Sequence, residues 1–283
     1  YITISALLFL SACTEKIDFE LNDGVNNRLV VEGGITDETK VHSIKLTRSV
    51  DYLSNEEVPV VTGAEVSVSG GGQLFEFFDE DGDGIYETNG EVAGIPGNNY
   101  TLNIRLEDQE IYTAECFMDS IESIDSLLYL YEEVLGYGEE GPELSYYYKI
   151  FLFAQEPSSP GDHYMWDLFI NNELDTDTLN EKIFTDDTGV NGNYINFFDV
   201  FWIPDEKITE EITLVSVRMM SISKEQYEHH LALMLETEWR GGPFESPPAN
   251  VPTNISNGAL GFFYANAVSY SSVDVLLKTN ILF

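Results

Sequence analysis

Ala64-Glu65-Val66-Ser67-Val68 alternates apolar and polar residues, and Ser43-Ile44-Lys45-Leu46-Thr47 does the same. Successive side chains of a β-strand point to opposite faces, so a period of two marks a strand with one buried face. Further runs of strand length lie at 29–32, 74–78 and 100–106, parted by Gly, Pro and Asn. Short alternating runs with turn signals between them predict a half-buried antiparallel sheet. Residues 29–115 are therefore read as an Ig-like or transthyretin-like sandwich.

A second antiparallel β domain is predicted over 116–283, which suits a 283-residue chain better than one domain does. Its aromatic-rich runs fall at 127–131, 146–153, 164–170, 194–201 and 212–219, with closing strands at 261–268 and 273–281. The acidic stretches 132–143 and 171–193 are read as loops, the latter long enough to serve a function or cover a face. One amphipathic helix is expected near 224–239. Ser223 can cap it, Gln226 takes the capping-box position, and Tyr227, Leu231, Leu235 and Trp239 recur every four residues until Gly241-Gly242-Pro243. That stripe is expected to pack on the second sheet. The fold class is thus mostly β with one helix.

The amino terminus reads as an address. The apolar run from Ile2 to Leu10 is about half the roughly 20 residues that span a bilayer, and sits where the core of a signal peptide belongs. Tyr1 stands where a Met and a basic segment are expected, so residues 1–12 are read as a signal peptide truncated at its start. Leu10-Ser11-Ala12-Cys13 has the large apolar residue, two small residues and cysteine of a lipobox, making Cys13 the expected lipidation site. One acyl chain holds a protein only marginally at a membrane, whereas two or more anchor it stably. Residues 13–28, acidic and then rich in Asn and Asp, read as a tether. With Cys13 lipidated, Cys116 has no partner for an intramolecular disulfide and is expected to be a buried small hydrophobe.

Fifty Asp and Glu against 13 Lys and Arg give a net charge of −37, which repels nucleic acid and anionic headgroups. A 43% hydrophobic composition supplies enough apolar surface for packed cores, so the acid belongs on a folded surface.

Asp79-Glu80-Asp81-Gly82-Asp83-Gly84-Ile85-Tyr86-Glu87 is the best local motif for chemistry. Alternating carboxylates around a turning Gly can converge hard oxygens on Ca²⁺. Asp79, Asp81, Asp83 and Glu87 are the candidate calcium ligands, and calcium is the one cofactor considered. Position 12 of an EF-hand loop falls on Gly90, and the flanks read as strand, so a full EF-hand is excluded. The reading favoured over a metal site is an acidic hairpin tip whose Asp-Gly steps make the turn. His229 and His230 are adjacent on the helix and read as solvated; with His42 and His163 they form no zinc spacing. No Gly-x-Ser-x-Gly elbow, Walker loop or Gly-x-Gly-x-x-Gly occurs, and no acid pair can be singled out among 50 carboxylates, so no catalytic residue is assigned. The tyrosines and tryptophans could stack on sugars, but in alternating strands they are first expected to fill the core.

Several segments together resemble a family. They are the lipobox with its acidic tether, Val30-Val31-Glu32-Gly33, Ile95-Pro96-Gly97-Asn98-Asn99-Tyr100-Thr101-Leu102, and residues 221–227. The most distinctive is Pro247-Pro248-Ala249-Asn250-Val251-Pro252-Thr253-Asn254-Ile255-Ser256-Asn257-Gly258-Ala259-Leu260-Gly261-Phe262-Phe263. They resemble the Bacteroidota outer-membrane lipoprotein family of unknown function numbered forty-two forty-nine, over nearly the whole mature chain. Members are typically encoded beside TonB-dependent receptors. The resemblance therefore implies a lipid-anchored outer-membrane accessory of such a β-barrel receptor and no established activity; the reading adopted is a non-enzymatic component for binding or assembly. It supplies no site residues, and it leaves open whether the surface or the periplasmic face is occupied. The alternative is a stand-alone cell-surface lipoprotein binding glycans or peptides, for which an aromatic platform on one open face would speak.

Overall fold

The computed structural model describes residues 27–50, 57–138, 141–238 and 251–278. Cys13, the signal, the tether up to residue 26 and Trp239 with the Gly241-Gly242-Pro243 stop lie outside them. The described residues hold sixteen strands and one α-helix. The first seven strands are β1 (Leu29–Thr36), β2 (Ser43–Arg48), β3 (Glu65–Gly70), β4 (Gln73–Phe78), β5 (Ile85–Thr88), β6 (Asn98–Arg105) and β7 (Ile111–Met118). Then come β8 (Ile124–Gly138), β9 (Gly141–Gln155), β10 (His163–Ile170), β11 (Glu173–Leu174), β12 (Ile183–Asp186), β13 (Tyr194–Pro204) and β14 (Ile212–Ser221). Helix α1 (Lys224–Glu238), β15 (Leu260–Asn266) and β16 (Val268–Leu276) complete the described chain. The mostly β fold with sandwich-like sheets and a single helix is the one the alternation predicts.

The first body is one eight-stranded sheet in the order β15-β1-β2-β5-β4-β3-β6-β7. Every neighbouring pair in it is antiparallel except β1 with β15. Its strands obey the period of two: Val66 and Val68, Tyr100, Leu102 and Ile104, and Tyr112, Ala114, Cys116 and Met118 all turn into one core. The sheet folds over until its two edges meet, and a polar strap closes the seam. Asn254 Nδ2 donates to the carbonyls of Glu115 (3.2 Å) and Phe263 (2.8 Å), while its Oδ1 accepts from Phe263 N (3.0 Å). Ser256 N donates to Thr113 O, and Ser256 Oγ accepts from Thr113 N, each at 2.8 Å. Edge groups that would otherwise face water are thereby satisfied. The expected boundary at 115/116 falls inside β7, and Leu260–Asn266, read as part of the second domain, lies in the first sheet. Periodicity places a strand without naming its partner, and β15 finds the free edge of β1.

The second body is a sandwich. One sheet runs β13-β9-β8, and the other β11-β10-β14-β16 with β12 also on β10. Tyr148, Ile150 and Leu152 of β9 with Val200 and Ile203 of β13 face Trp166 and Leu168 of β10, Val215 and Val217 of β14, and Val275 of β16. Of the stretch 132–143, expected as an acidic loop, residues 132–138 and 141–143 instead continue the β8–β9 hairpin, paired from Leu127↔Leu152 to Gly138↔Gly141. The charges sit on strands; Glu132, for example, pairs with Lys149 at 2.6 Å.

On the other face of the β10–β14 sheet lies α1, begun by Ser223 Oγ accepting from Gln226 N (3.1 Å). Its stripe differs from expectation. Tyr227 packs on Met165, Met220 and Ile222, but Leu235 is 59% exposed, and the most buried helix residues are Gln226 and His229. The helix reaches both β10 and β15, so polar groups of the first body meet its inner side. The same face holds Asp167, fully buried on β10. Arg218, opposite it on β14, and Lys182 both pair with its carboxylate, and Thr176 Oγ1 donates to it at 3.4 Å. Arg218 also reaches Glu38 of the first body at 3.9 Å. Only Ala267 separates β15 in one sheet from β16 in the other. No helix among the described residues is long and apolar enough to cross a membrane.

Candidate functional site

Three features of this architecture could meet another molecule. The first is a cavity of about 180 Å³ at one end of the second sandwich, between its sheets. Leu152 and Ala154 of β9, Trp166 of β10, Met219 of β14 and Ile195 and Phe198 of β13 supply apolar walls. Thr185, Asp186, Thr188 and Val190 close over it, so the acidic stretch 171–193 does cover a face.

Glu156, where β9 runs out, is 3% exposed and accepts a hydrogen bond from the Tyr164 hydroxyl at 3.1 Å. Beside it stand Asp162 and Asp187, with one ligand-capable oxygen of each of the three within 4.8 Å of the others. Asp187 Oδ2 accepts from Gly161 N (2.8 Å), whereas Asp162 Oδ2 is buried and has no hydrogen-bond partner. Burial raises the pKa of Glu156, as do the nearby charges of Asp162 and Asp187, against the lowering bond from Tyr164. Asp162 is raised by burial first, then by Asp187 and Asp119. Trp166 Nε1 is buried without an acceptor. Sequence reasoning missed these residues: they are scattered along the chain and carry no motif, and only the length of 171–193 pointed here.

The second feature is the outer face of the three-stranded sheet. In register across it run Leu128–Phe151–Asp199 and Leu130–Lys149–Trp202. Leu128, Leu130, Phe197 and Trp202 are exposed. Phe197 sits at a register shift with φ of 57°, a region bulky residues rarely adopt, and its ring meets Phe151 and Phe153 edge-on at 5.8 and 4.9 Å. Lys149 Nζ lies 3.8 Å from the centre of the Trp202 ring.

The third is the loop between β4 and β5. It brings Asp79, Asp81 and Asp83 together, but Glu87 is not among them: it lies on β5, paired with Ser43 and Phe78. Asp79 accepts from the backbone N–H of Gly82, Asp83 and Gly84 at 2.9, 3.2 and 3.3 Å, and Asp83 accepts from Ile85 N at 2.8 Å. The carboxylates therefore build the turn, with Gly82 and Gly84 at positive φ. Asp79→Ala should cost about 1–2 kcal/mol in urea denaturation, alike with and without Ca²⁺. A calcium role requires instead a melting temperature that rises with millimolar Ca²⁺ and stops doing so in Asp81→Ala and Asp83→Ala.

The histidines differ from their reading as solvated residues. His229 is 7% exposed, its Nδ1 lies 2.6 Å from the carbonyl of Pro252, and its ring packs on Phe262. Burial, then His229 and Lys182, push the pKa of His230 down to about 4. Cys116 lies in the first core, its thiol pushed up to about 11 by burial.

A family model described as Domain of unknown function (DUF4249) matches residues 14–272, which hold all three features. The chain belongs to the DUF4249 family. No curated protein matches it. The match takes in the seam strap with its Asn254-Ile255-Ser256-Asn257-Gly258 turn, which closes the first body.

Proposed function

We propose that this DUF4249 protein is a lipid-anchored, non-enzymatic binding component of the outer membrane that docks on a TonB-dependent β-barrel receptor, with Cys13 carrying the anchor. The observation that supports it is the apolar outer face of β8-β9-β13, with Leu128, Leu130, Phe197 and Trp202 exposed side by side. Contiguous exposed apolar surface of this kind marks interaction sites in folded proteins. A left-handed backbone at a bulky residue costs about 1–2 kcal/mol. At Phe197 that strain presents a ring to solvent, as functional strain does elsewhere.

The same face favours the second reading, a stand-alone peptide- or glycan-binding lipoprotein. For a sugar the fit is poorer: Lys149 covers one face of Trp202, and Phe197 meets Phe151 and Phe153 edge-on, so these rings form no flat platform. A pull-down from native membranes after crosslinking distinguishes the readings. The first expects a β-barrel receptor with the wild type and its loss in the double variant Phe197→Asp, Trp202→Glu. Recovery of the protein from membranes with no β-barrel partner, even after crosslinking, would refute docking on a receptor.

A further inference from the structure

The cavity in the second sandwich carries a combination that packing alone does not require. Voids left by imperfect packing are apolar and lack polar groups in need of partners. Here the Trp166 indole, 3% exposed, holds an N–H donor with no acceptor, and an unmet buried donor costs about 1–3 kcal/mol. Glu156, equally buried, accepts from the Tyr164 hydroxyl, and its carboxylate lies close to those of Asp162 and Asp187. The charged residues lining the cavity are Glu122, Glu156 and Asp186, all acids; no Lys, Arg or His joins them.

We propose that this cavity binds a small organic cation: one ring or a compact apolar body, bearing an ammonium group and an oxygen acceptor. The ammonium pairs with Glu156, where Asp162 and Asp187 add to the negative potential. The oxygen takes the Trp166 N–H, and the body lies between Leu152, Phe198 and Met219. Size agrees, because an apolar cavity of about 150 Å³ accepts benzene, so about 180 Å³ takes a ring with a short arm. The cavity is distinct from the outer face of Trp202 and Phe197, so this inference and docking on a receptor can fail separately.

Tyramine is the probe, with 4-ethylphenol as its analogue lacking the ammonium and phenethylamine lacking the oxygen. Calorimetric titration of the full chain should show one tyramine per chain, with 4-ethylphenol at least about tenfold weaker, since charge-assisted hydrogen bonds are the strong ones. Glu156→Gln should weaken tyramine about tenfold and leave 4-ethylphenol unchanged. Trp166→Phe should erase the advantage of tyramine over phenethylamine. Val190→Trp, at a partly exposed position of the lining, should block binding without lowering the melting temperature, which keeps the test valid if Glu156→Gln folds poorly. The inference falls if tyramine does not bind at about 10 mM, if 4-ethylphenol binds as well, or if Val190→Trp leaves binding intact. Saturable Ca²⁺ binding lost in Glu156→Gln, with no tyramine binding, would overturn it in favour of a metal site.

Discussion

Asp167→Ala is expected to remove about 3–5 kcal/mol of stability in urea denaturation, the cost of taking one partner from a buried ion pair. The carboxylate is fully buried and serves Arg218, Lys182 and Thr176 together. Its loss leaves the guanidinium of Arg218, whose side chain is 18% exposed, with the more distant Glu38 as its remaining carboxylate beside the Tyr270 hydroxyl. It also frees Lys182, which ties the covering segment to β10, and leaves Thr176 held there by the Leu168 N–H alone at 3.0 Å. The cost is that of an uncompensated cation, not of the attraction itself, so Asp167→Leu with Arg218→Met should recover most of it. A loss below about 1 kcal/mol in Asp167→Ala would mean that water reaches Arg218 and that the cluster does not hold the segment down.

Gly261→Ala is the second large effect. Gly261 has φ of +85° and lies opposite Val31 in the parallel β1–β15 pair, where an added Cβ would stand 2.0 Å from the Val31 carbonyl oxygen. Backbone pressed on backbone has no side chain that can swing away, so the pairing must part. Strain at φ alone costs about 1–3 kcal/mol, and the displaced strand carries Phe263, fully buried in the core. A total of roughly 3 kcal/mol or more is expected, lowering the melting temperature of a chain this long by about 6–12 °C. Gly258 is the control. It has φ of +71° but open space around it, so Gly258→Ala should cost only about 1–2 kcal/mol. Equal losses at the two glycines would show that strain at φ, not close approach, decides the effect.

Strands with one wet face were legible because burial alternates along them: Ile44 and Leu46, Val66 and Val68, and Tyr100, Leu102 and Ile104 are buried in turn. The same signal runs through Tyr112, Ala114, Cys116 and Met118, but small Ala and Cys dilute it, and β7 passed unread. The strand at Leu260–Asn266 was visible while its partner was not, because pairing with β1 joins opposite ends of the described chain. His229 was misread for a related cause: helix periodicity cannot report that the carbonyl of Pro252 waits beside the ring. The turn at Asp79 was readable since Asp-Gly chemistry is local, and so was the absence of a twelfth-position ligand at Gly90. The cavity was not. Glu156, Trp166 and Phe198 share no spacing, and among 50 carboxylates the few that fold into the interior look like all the others.

The β1–β15 pairing also sets the order in which the molecule is completed. A ribosome delivers β1 more than 200 residues before β15 (Leu29 against Leu260), and contacts that close long loops form slowly. Throughout synthesis the N–H and C=O row of Val30 to Thr36 therefore waits as an open edge, the kind that templates aggregation. Because only Ala267 parts β15 from β16, the strand that ends this exposure is drawn in together with the last strand of the other sheet. Nascent chains that stop short of Leu260 leave both sheets an edge strand short, so emergence of β15 and β16 is the moment at which both edges become safe.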